Sequence, residues 1–254
     1  MSNTYFQFKQ FNIQQDRCAM KVTTDSCLFG AWIVNQINNE QLIINNLLDI
    51  GTGTGLLTLT YAQKNSHAQI DAIEIDEDSF EQAKENIAAS PWDDRIKIFH
   101  GDARNFEFPY KYDVIISNPP FYENELKSDN LKRNLALHGN KLALDELLLV
   151  IQSNLSETGI FFLLLPYKRQ EDIRKIFEKY KFSMRQIIFI RQSVKHDYFR
   201  MIIMGKRKST EFIQTSFDEI SIRNDPSTLR QAQSSEQQYT QQFVELLKDY
   251  YLYL

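Results

Sequence analysis

Four short apolar runs, each stopped by glycine, acid or proline, set the rhythm of the first half of the chain. Leu47-Leu48-Asp49-Ile50 runs into Gly51-Thr52-Gly53-Thr54-Gly55, and Ile70-Asp71-Ala72-Ile73 into Glu74-Ile75-Asp76. Arg95 to His100 alternates and stops at Gly101-Asp102-Ala103, and Tyr112 to Ser117 stops at Asn118-Pro119-Pro120-Phe121. Apolar runs of this length between turn residues read as strands buried in a sheet. Helical spacing fills the gaps, from Leu56 to about Lys64 and from Glu77 to about Ala89. Upstream, a helix opens at Thr24 or Asp25 and runs to about Ile37, turning Leu28, Trp32 and Ile33 inward. Downstream, the pattern predicts a helix over 142–154, a strand over 159–165, a helix over 168–180, strands over 184–190, 199–205 and 219–223, and an amphipathic helix over 239–251. Strand and helix alternating from 47 to 205 predict an α/β, doubly wound, mostly parallel sheet. Phe6, Phe8 and Phe11 read as packing residues ahead of it, and Thr228 to Gln238 as a polar stretch.

The strand ends carry the candidate chemistry. A glycine-rich turn between strand and helix lets backbone approach a ligand and aims helix-terminal amides at it. The spacing differs from that of dinucleotide folds, since Leu56 stands where a third glycine is expected. Asp49 either orients this loop or meets a cationic ligand. Glu74 lies about 20 residues beyond the glycines, where a carboxylate meets ribose hydroxyls; Asp76 competes for that role or caps the next helix. Asp102, beside Ala103, either accepts from an adenine amino group or shapes a turn. Thr24 and Asp25 serve as cap or as ligand contact. At Asn118 the chain must leave the sheet, because two prolines remove two backbone donors. The Asn118 amide oxygen and the Pro119 carbonyl are acceptors, Pro120 stiffens the bend, and Phe121 adds a flat ring. Such a set suits a planar substrate bearing an amino group.

Composition narrows the class. The chain has 254 residues, 43% hydrophobic and 24% charged, as expected of a globular protein with one sizeable core. No apolar run reaches membrane-spanning length and no secretory leader is visible at Met1-Ser2-Asn3-Thr4-Tyr5, so no membrane is expected. Cys18 and Cys27 lack neighbours at metal spacing, which predicts reduced thiols, a cytoplasmic protein and no metal site. The net charge is −4, yet Tyr167 to Lys208 holds thirteen Lys and Arg against four acids, or +9. That segment either contacts phosphate or forms solvated helix and loop faces. Glu123 to Asn140, with His138 as a surface histidine, reads as a substrate lid or a solvated connection.

With GxGxG, an acid ending the second strand, Gly-Asp-Ala ending the third and Asn-Pro-Pro-Phe ending the fourth, the sequence resembles the class I S-adenosylmethionine-dependent methyltransferases. Asn-Pro-Pro-aromatic marks those that methylate a planar amino or amide nitrogen. More narrowly, it resembles the bacterial enzymes that methylate N6 of the adenosine beside the anticodon of valine tRNA. That likeness rests on Asp16-Arg17-Cys18-Ala19-Met20-Lys21-Val22, Thr24-Asp25, Gly30-Ala31-Trp32, Ala88-Ala89-Ser90-Pro91-Trp92 and Asp249-Tyr250-Tyr251-Leu252. The stretch Asn134-Leu135-Ala136-Leu137-His138 departs from that family's usual Ala-Arg pair. The resemblance implies a Rossmann-like sheet closed by an antiparallel hairpin, with tRNA as partner. It implies S-adenosylmethionine held by Thr24, Asp49, Gly51, Gly53, Gly55, Glu74, Asp102, Ala103 and Asn118. It also implies chemistry carried by Asn118, Pro119, Pro120 and Phe121. Residues 1–254 are then one domain: an extension over the cofactor site (1–46), a core (47–208) and an appendage (209–254). Two alternatives remain at this stage, a glutamine-N5 methyltransferase acting on a release factor and a nucleotide-binding module without catalysis.

Overall fold

The computed structural model describes residues 3–120, 142–209, 214–225 and 238–254. Phe121, the 123–140 loop with His138, and most of the 228–238 stretch lie outside the described residues. An eight-stranded sheet organises the rest. Its first five strands are β3 (Asn46–Ile50), β4 (Gln69–Glu74), β5 (Ile96–His100), β6 (Tyr112–Ser117) and β7 (Leu155–Pro166). They lie side by side in the order β5-β4-β3-β6-β7, all parallel. β8 (Phe182–Arg191) and β9 (Tyr198–Arg207) form the closing hairpin, with β9 inserted antiparallel between β7 and β8. β10 (Ser216–Ser221) adds a parallel edge strand, starting three residues before the expected one.

Alternation along the strands feeds a core on each face. Leu47, Val114, Ile116, Phe162 and Leu164 point to one side and Leu48, Ile115, Phe161, Leu163 and Leu165 to the other. The first side is covered by α1 (Thr24–Asn39), α2 (Leu56–Lys64) and α6 (Gln241–Leu247). The second is covered by α4 (Leu144–Asn154) and α5 (Gln170–Lys179). α3 (Glu77–Ala88) joins β4 to β5. Gly205 is required by close packing, as a Cβ there would sit 2.3 Å from the buried Phe161 ring. No helix among the described residues is long and apolar enough to cross a membrane.

Two local expectations are corrected, the cap of the first helix and the end of the last, while Phe6, Phe8 and Phe11 pack as expected. The cap of α1 is Thr23, not Thr24 or Asp25. Its hydroxyl accepts from the Ser26 amide at 3.4 Å, and Ser26 Oγ accepts from the Thr23 amide at 3.1 Å. Asp25 instead binds Arg200 Nε at 3.0 Å. The N-terminal aromatics belong to a hairpin of β1 (Tyr5–Gln7) and β2 (Asn12–Gln14), too short to leave a periodic signal. The last helix stops at Leu247 because Tyr250 and Tyr251 are drawn to that hairpin. There, Lys9 N donates to Tyr250 O at 2.8 Å and Phe8 bridges Tyr251.

Candidate active site

Strand order reverses between β3 and β6, so the carboxyl ends of these two strands splay apart and leave a crevice. Ser117 Oγ ties them together at its base, donating to Ile50 O at 2.7 Å. β3 ends in the glycine turn and β6 in Asn118. Between them opens a cleft of about 350 Å³, walled by the glycine turn, Glu74, Asp102, Asn118 and Pro119, with Leu56 and Leu142 among its apolar contacts.

The glycines are required by the backbone. Gly51, Gly53 and Gly55 have φ of 71°, 57° and 82°, where an L side chain is strained. A Cβ on Gly51 or Gly53 would meet nothing within 4 Å, so the turn stands open on its outer side. Gly51 N and Thr52 N donate to Ile73 O at 2.9 and 3.2 Å, and Gly53 N to Glu74 Oε2 at 2.9 Å. Glu74 Oε1 takes the amides of Ile75 and Asp76 at 2.9 and 3.0 Å. Glu74 thus shapes the turn and keeps about one lone-pair site, on Oε2, for the cleft. Asp76 takes the capping role, accepting from Ser79 N at 2.9 Å.

Asp49 is fully buried beneath the turn and is not part of the cleft wall. Its Oδ2 accepts from Thr52 and Thr58 hydroxyls at 2.7 and 2.8 Å, while Oδ1 has no partner. Of its two expected roles, orienting the loop is the one the geometry displays. Burial pushes its carboxyl up to about 6, against the pull of the two threonines.

Asp102 and Ala103 line the cleft, but Asp102 is engaged. Its Oδ1 faces Arg104 N and Nε at 3.0 and 2.9 Å, and its Oδ2 faces Arg104 Nε and Nη2 at 2.9 and 2.6 Å. A carboxylate has about four lone-pair sites, and three N–H groups of one arginine, with Nε between both oxygens, occupy most of them. These bonds hold the Asp102 carboxyl below its ordinary range. Arg104 Nη1 also reaches Glu146 on α4 at 3.0 Å.

Asn118 is half-buried on the cleft wall, Pro119 buried and Pro120 exposed. Among the described residues no hydrogen bond engages the Asn118 amide. Thr24 is exposed at the start of α1 and absent from the cleft lining. The upstream segment 19–22 does line it.

Sequence reasoning missed two residues. Asn86, in the last turn of α3, donates to Gln14 O and Thr54 O at 2.9 Å and accepts from Gln14 N at 2.9 Å, stapling β2 to the glycine turn. Gln15 accepts from Val22 N at 2.8 Å and so holds the segment over the cleft. Both are buried amides, and Asn86 sits one helical turn after the buried Gln82 on the core face of α3. Polar residues on an apolar face were the legible signal.

Solved structures share this architecture. A ribosomal protein L11 methylase from Lactobacillus delbrueckii aligns with a TM-score of 0.54 at 16% identity, covering 78% of this chain and 84% of that one. An S-adenosylmethionine-dependent methyltransferase from Clostridium acetobutylicum aligns with 0.53 at 14%, covering 74% and 94%. The family model for the methyltransferase small domain matches residues 30–182. Fold, glycine turn and family model together define an S-adenosylmethionine-dependent methyltransferase of the Rossmann-like class. A Cytophaga hutchinsonii protein named tRNA1(Val) (adenine(37)-N6)-methyltransferase is 37% identical over 258 residues, covering 100% of both chains. One of the same name from Flavobacterium johnsoniae is 35% identical, covering 97% and 99%. Another, from Dyadobacter fermentans, reaches 47% over 65% of this chain and 66% of its own length. The chain belongs to the tRNA1(Val) (adenine(37)-N6)-methyltransferase family. Its cofactor is S-adenosylmethionine, and the cleft fits it: an open glycine turn, an acid with one acceptor site to spare ending β4, and an apolar wall at Leu56, Ala103 and Leu142. The release-factor and non-catalytic alternatives are not favoured.

Proposed function

We propose that this protein transfers the methyl group of S-adenosylmethionine to N6 of an adenosine in tRNA, adenosine 37 of a valine tRNA. The observation that carries the reading is the Asn118 amide, without a hydrogen bond among the described residues and held on a proline bend across the cleft from the glycine turn. When bound, the cofactor supplies a methyl group on a sulfonium, already activated for attack. What the protein must add is nucleophilicity at the substrate nitrogen, because an adenine amino group shares its lone pair with the ring. Asn118 Oδ1 and the Pro119 carbonyl accept the two N–H groups, favour a more tetrahedral nitrogen and stabilise the positive charge that develops on it. The rigid bend fixes these acceptors, so that an amino nitrogen bound to them would be positioned for attack, which lowers the entropic part of the barrier. Glu74 takes the ribose diol through the one lone-pair site left on Oε2. Asp102 takes the adenine amino group of the cofactor by releasing one bond to Arg104, while Glu146 retains the guanidinium. Phe121, next after Pro120, is assigned to stacking on the extruded base, worth about 1–3 kcal/mol.

We read 1–254 as one unit, with 1–46 folded over the cofactor, 47–208 as the core and 209–254 as an appendage. The place of residues 19–22 in the cleft wall supports this. The test is incubation with labelled cofactor and either bulk tRNA or release factor, followed by mapping of the modified nucleotide. Label in N6-methyladenosine beside the anticodon is expected. Asn118→Ala should lower turnover about 10²-fold or more with cofactor affinity within a few-fold; near-normal turnover would remove Asn118 from its role.

A further inference from the structure

Thirteen cations lie between Tyr167 and Lys208, and the structure divides them. Six are committed to ion pairs within the chain. Lys179 pairs with Asp145 at 2.7 Å, Arg185 with Glu40 at 3.1 Å and Lys195 with Asp225 at 2.9 Å. Arg200 pairs with Asp25 at 3.0 Å, Arg207 with Glu157 at 4.0 Å, and Arg191 with Glu219. Among the described residues the other seven have no ion pair: Lys168, Arg169, Arg174, Lys175, Lys181, Lys206 and Lys208.

Six of these seven follow one line. β6 and β7 are parallel, so the turn after Pro166 that bears Lys168 and Arg169 stands at the same end of the sheet as Asn118. α5 leaves that turn and runs back along the sheet. Ile173 and Phe177 are buried beneath it, while Arg174 and Lys175 face out. Lys181 follows the helix, and its carbonyl accepts from Lys208 N at 2.9 Å, which sets Lys208 beside it at the opposite end of the sheet. Lys206 is off the line, since alternation along β9 places it with Ile202 and Met204 on the other face. Glu171, Asp172 and Glu178 share the helix, so the line keeps an excess of cations. At 1.5 Å per residue α5 is about 15 Å long.

We propose that the tRNA, once its target loop is in the cleft, lies with its stem backbone along the outer face of α5, on Lys168, Arg169, Arg174, Lys175, Lys181 and Lys208. The six paired cations hold the fold instead. This rests on the tRNA reading above, and phosphate contacts of this kind position the substrate without reading its sequence.

The experiment measures tRNA affinity against salt concentration, cofactor affinity and turnover for wild type, for Arg174→Gln/Lys175→Gln, and for Lys206→Gln as the unpaired cation off the line. The double variant should bind tRNA about tenfold more weakly, with the salt slope reduced by about one per removed cation. Cofactor affinity and turnover at saturating tRNA should stay at wild-type values, which also reports an intact fold. Lys206→Gln should bind as wild type does. Unchanged affinity and slope in the double variant, or an equal loss per charge in Lys206→Gln, would overturn the path along α5 while leaving the activity assigned. A wild-type protein that neither binds nor methylates tRNA would overturn both.

Discussion

Asp49 illustrates how a single buried side chain couples the site to the stability of the fold. Its carboxyl is raised to about 6 by burial, with one oxygen on two threonine hydroxyls and the other without a partner. In the unfolded chain it titrates near 3.9. A carboxyl raised in the folded state favours folding while protonated, so its contribution is fully present below about pH 4 and is lost as pH rises through about 6. The shift corresponds to about 3 kcal/mol. Asp49→Asn should remove this dependence. In urea unfolding from pH 4 to pH 7.5, the stability difference between variant and wild type should move by about that amount in favour of the variant. A difference that stays constant with pH would show that Asp49 remains ionised in the fold. At the same scale, Asp102 and Arg104 show what sequence spacing hides. The two residues are two apart in the chain, and only the fold reveals that one arginine meets both oxygens of that carboxylate with three N–H groups.

Among the elements, β2 and α3 decide how the glycine turn is held. Asn86 satisfies Gln14 on both sides and the Thr54 carbonyl with one amide. Asn86→Ala leaves the buried Thr54 carbonyl and the part-buried Gln14 groups without this partner, each costing about 1–3 kcal/mol when it cannot reach water. A loss of about 2–3 kcal/mol in thermal or denaturant unfolding is expected, with weaker cofactor binding measured by calorimetry. Unchanged cofactor affinity would show that the turn keeps its shape unaided. The elements β3 to β6 and the helices between them were legible in the sequence because buried parallel strands are written as short apolar runs with abrupt stops. The hairpin β1–β2 was not, since three-residue strands give alternation no room. Thr23, Thr24 and Asp25 are consecutive cap candidates, and propensity cannot rank neighbours whose difference is backbone geometry. The early end of α6 was hidden because Tyr250 and Tyr251 answer to a partner far away in sequence.

At the scale of the whole molecule, the N-terminal hairpin and the C-terminal segment brace one another beside α1. The Tyr251 ring lies 5.6 Å from Phe6, 6.0 Å from Phe8 and 6.3 Å from Phe243. The same hairpin reaches the glycine turn through Asn86, so the chain after Thr240 is mechanically connected to the cleft. Tyr251→Ala should speed amide hydrogen exchange across 5–14 while leaving β3 and β4 protected. Equal acceleration in the central strands would mean general destabilisation, and none would mean that the hairpin stands alone.

The left-handed backbone of Gly51 and Gly53, with open space where a methyl group would go, sets the character of this turn. What forbids alanine there is torsion alone, about 1–2 kcal/mol of it. The constraint is therefore one of chirality rather than of size. A mirror-image alanine introduced by chemical ligation would be at ease in the torsion its natural enantiomer resists, and comparing the two would weigh the handedness of the turn separately from its contact with the ligand.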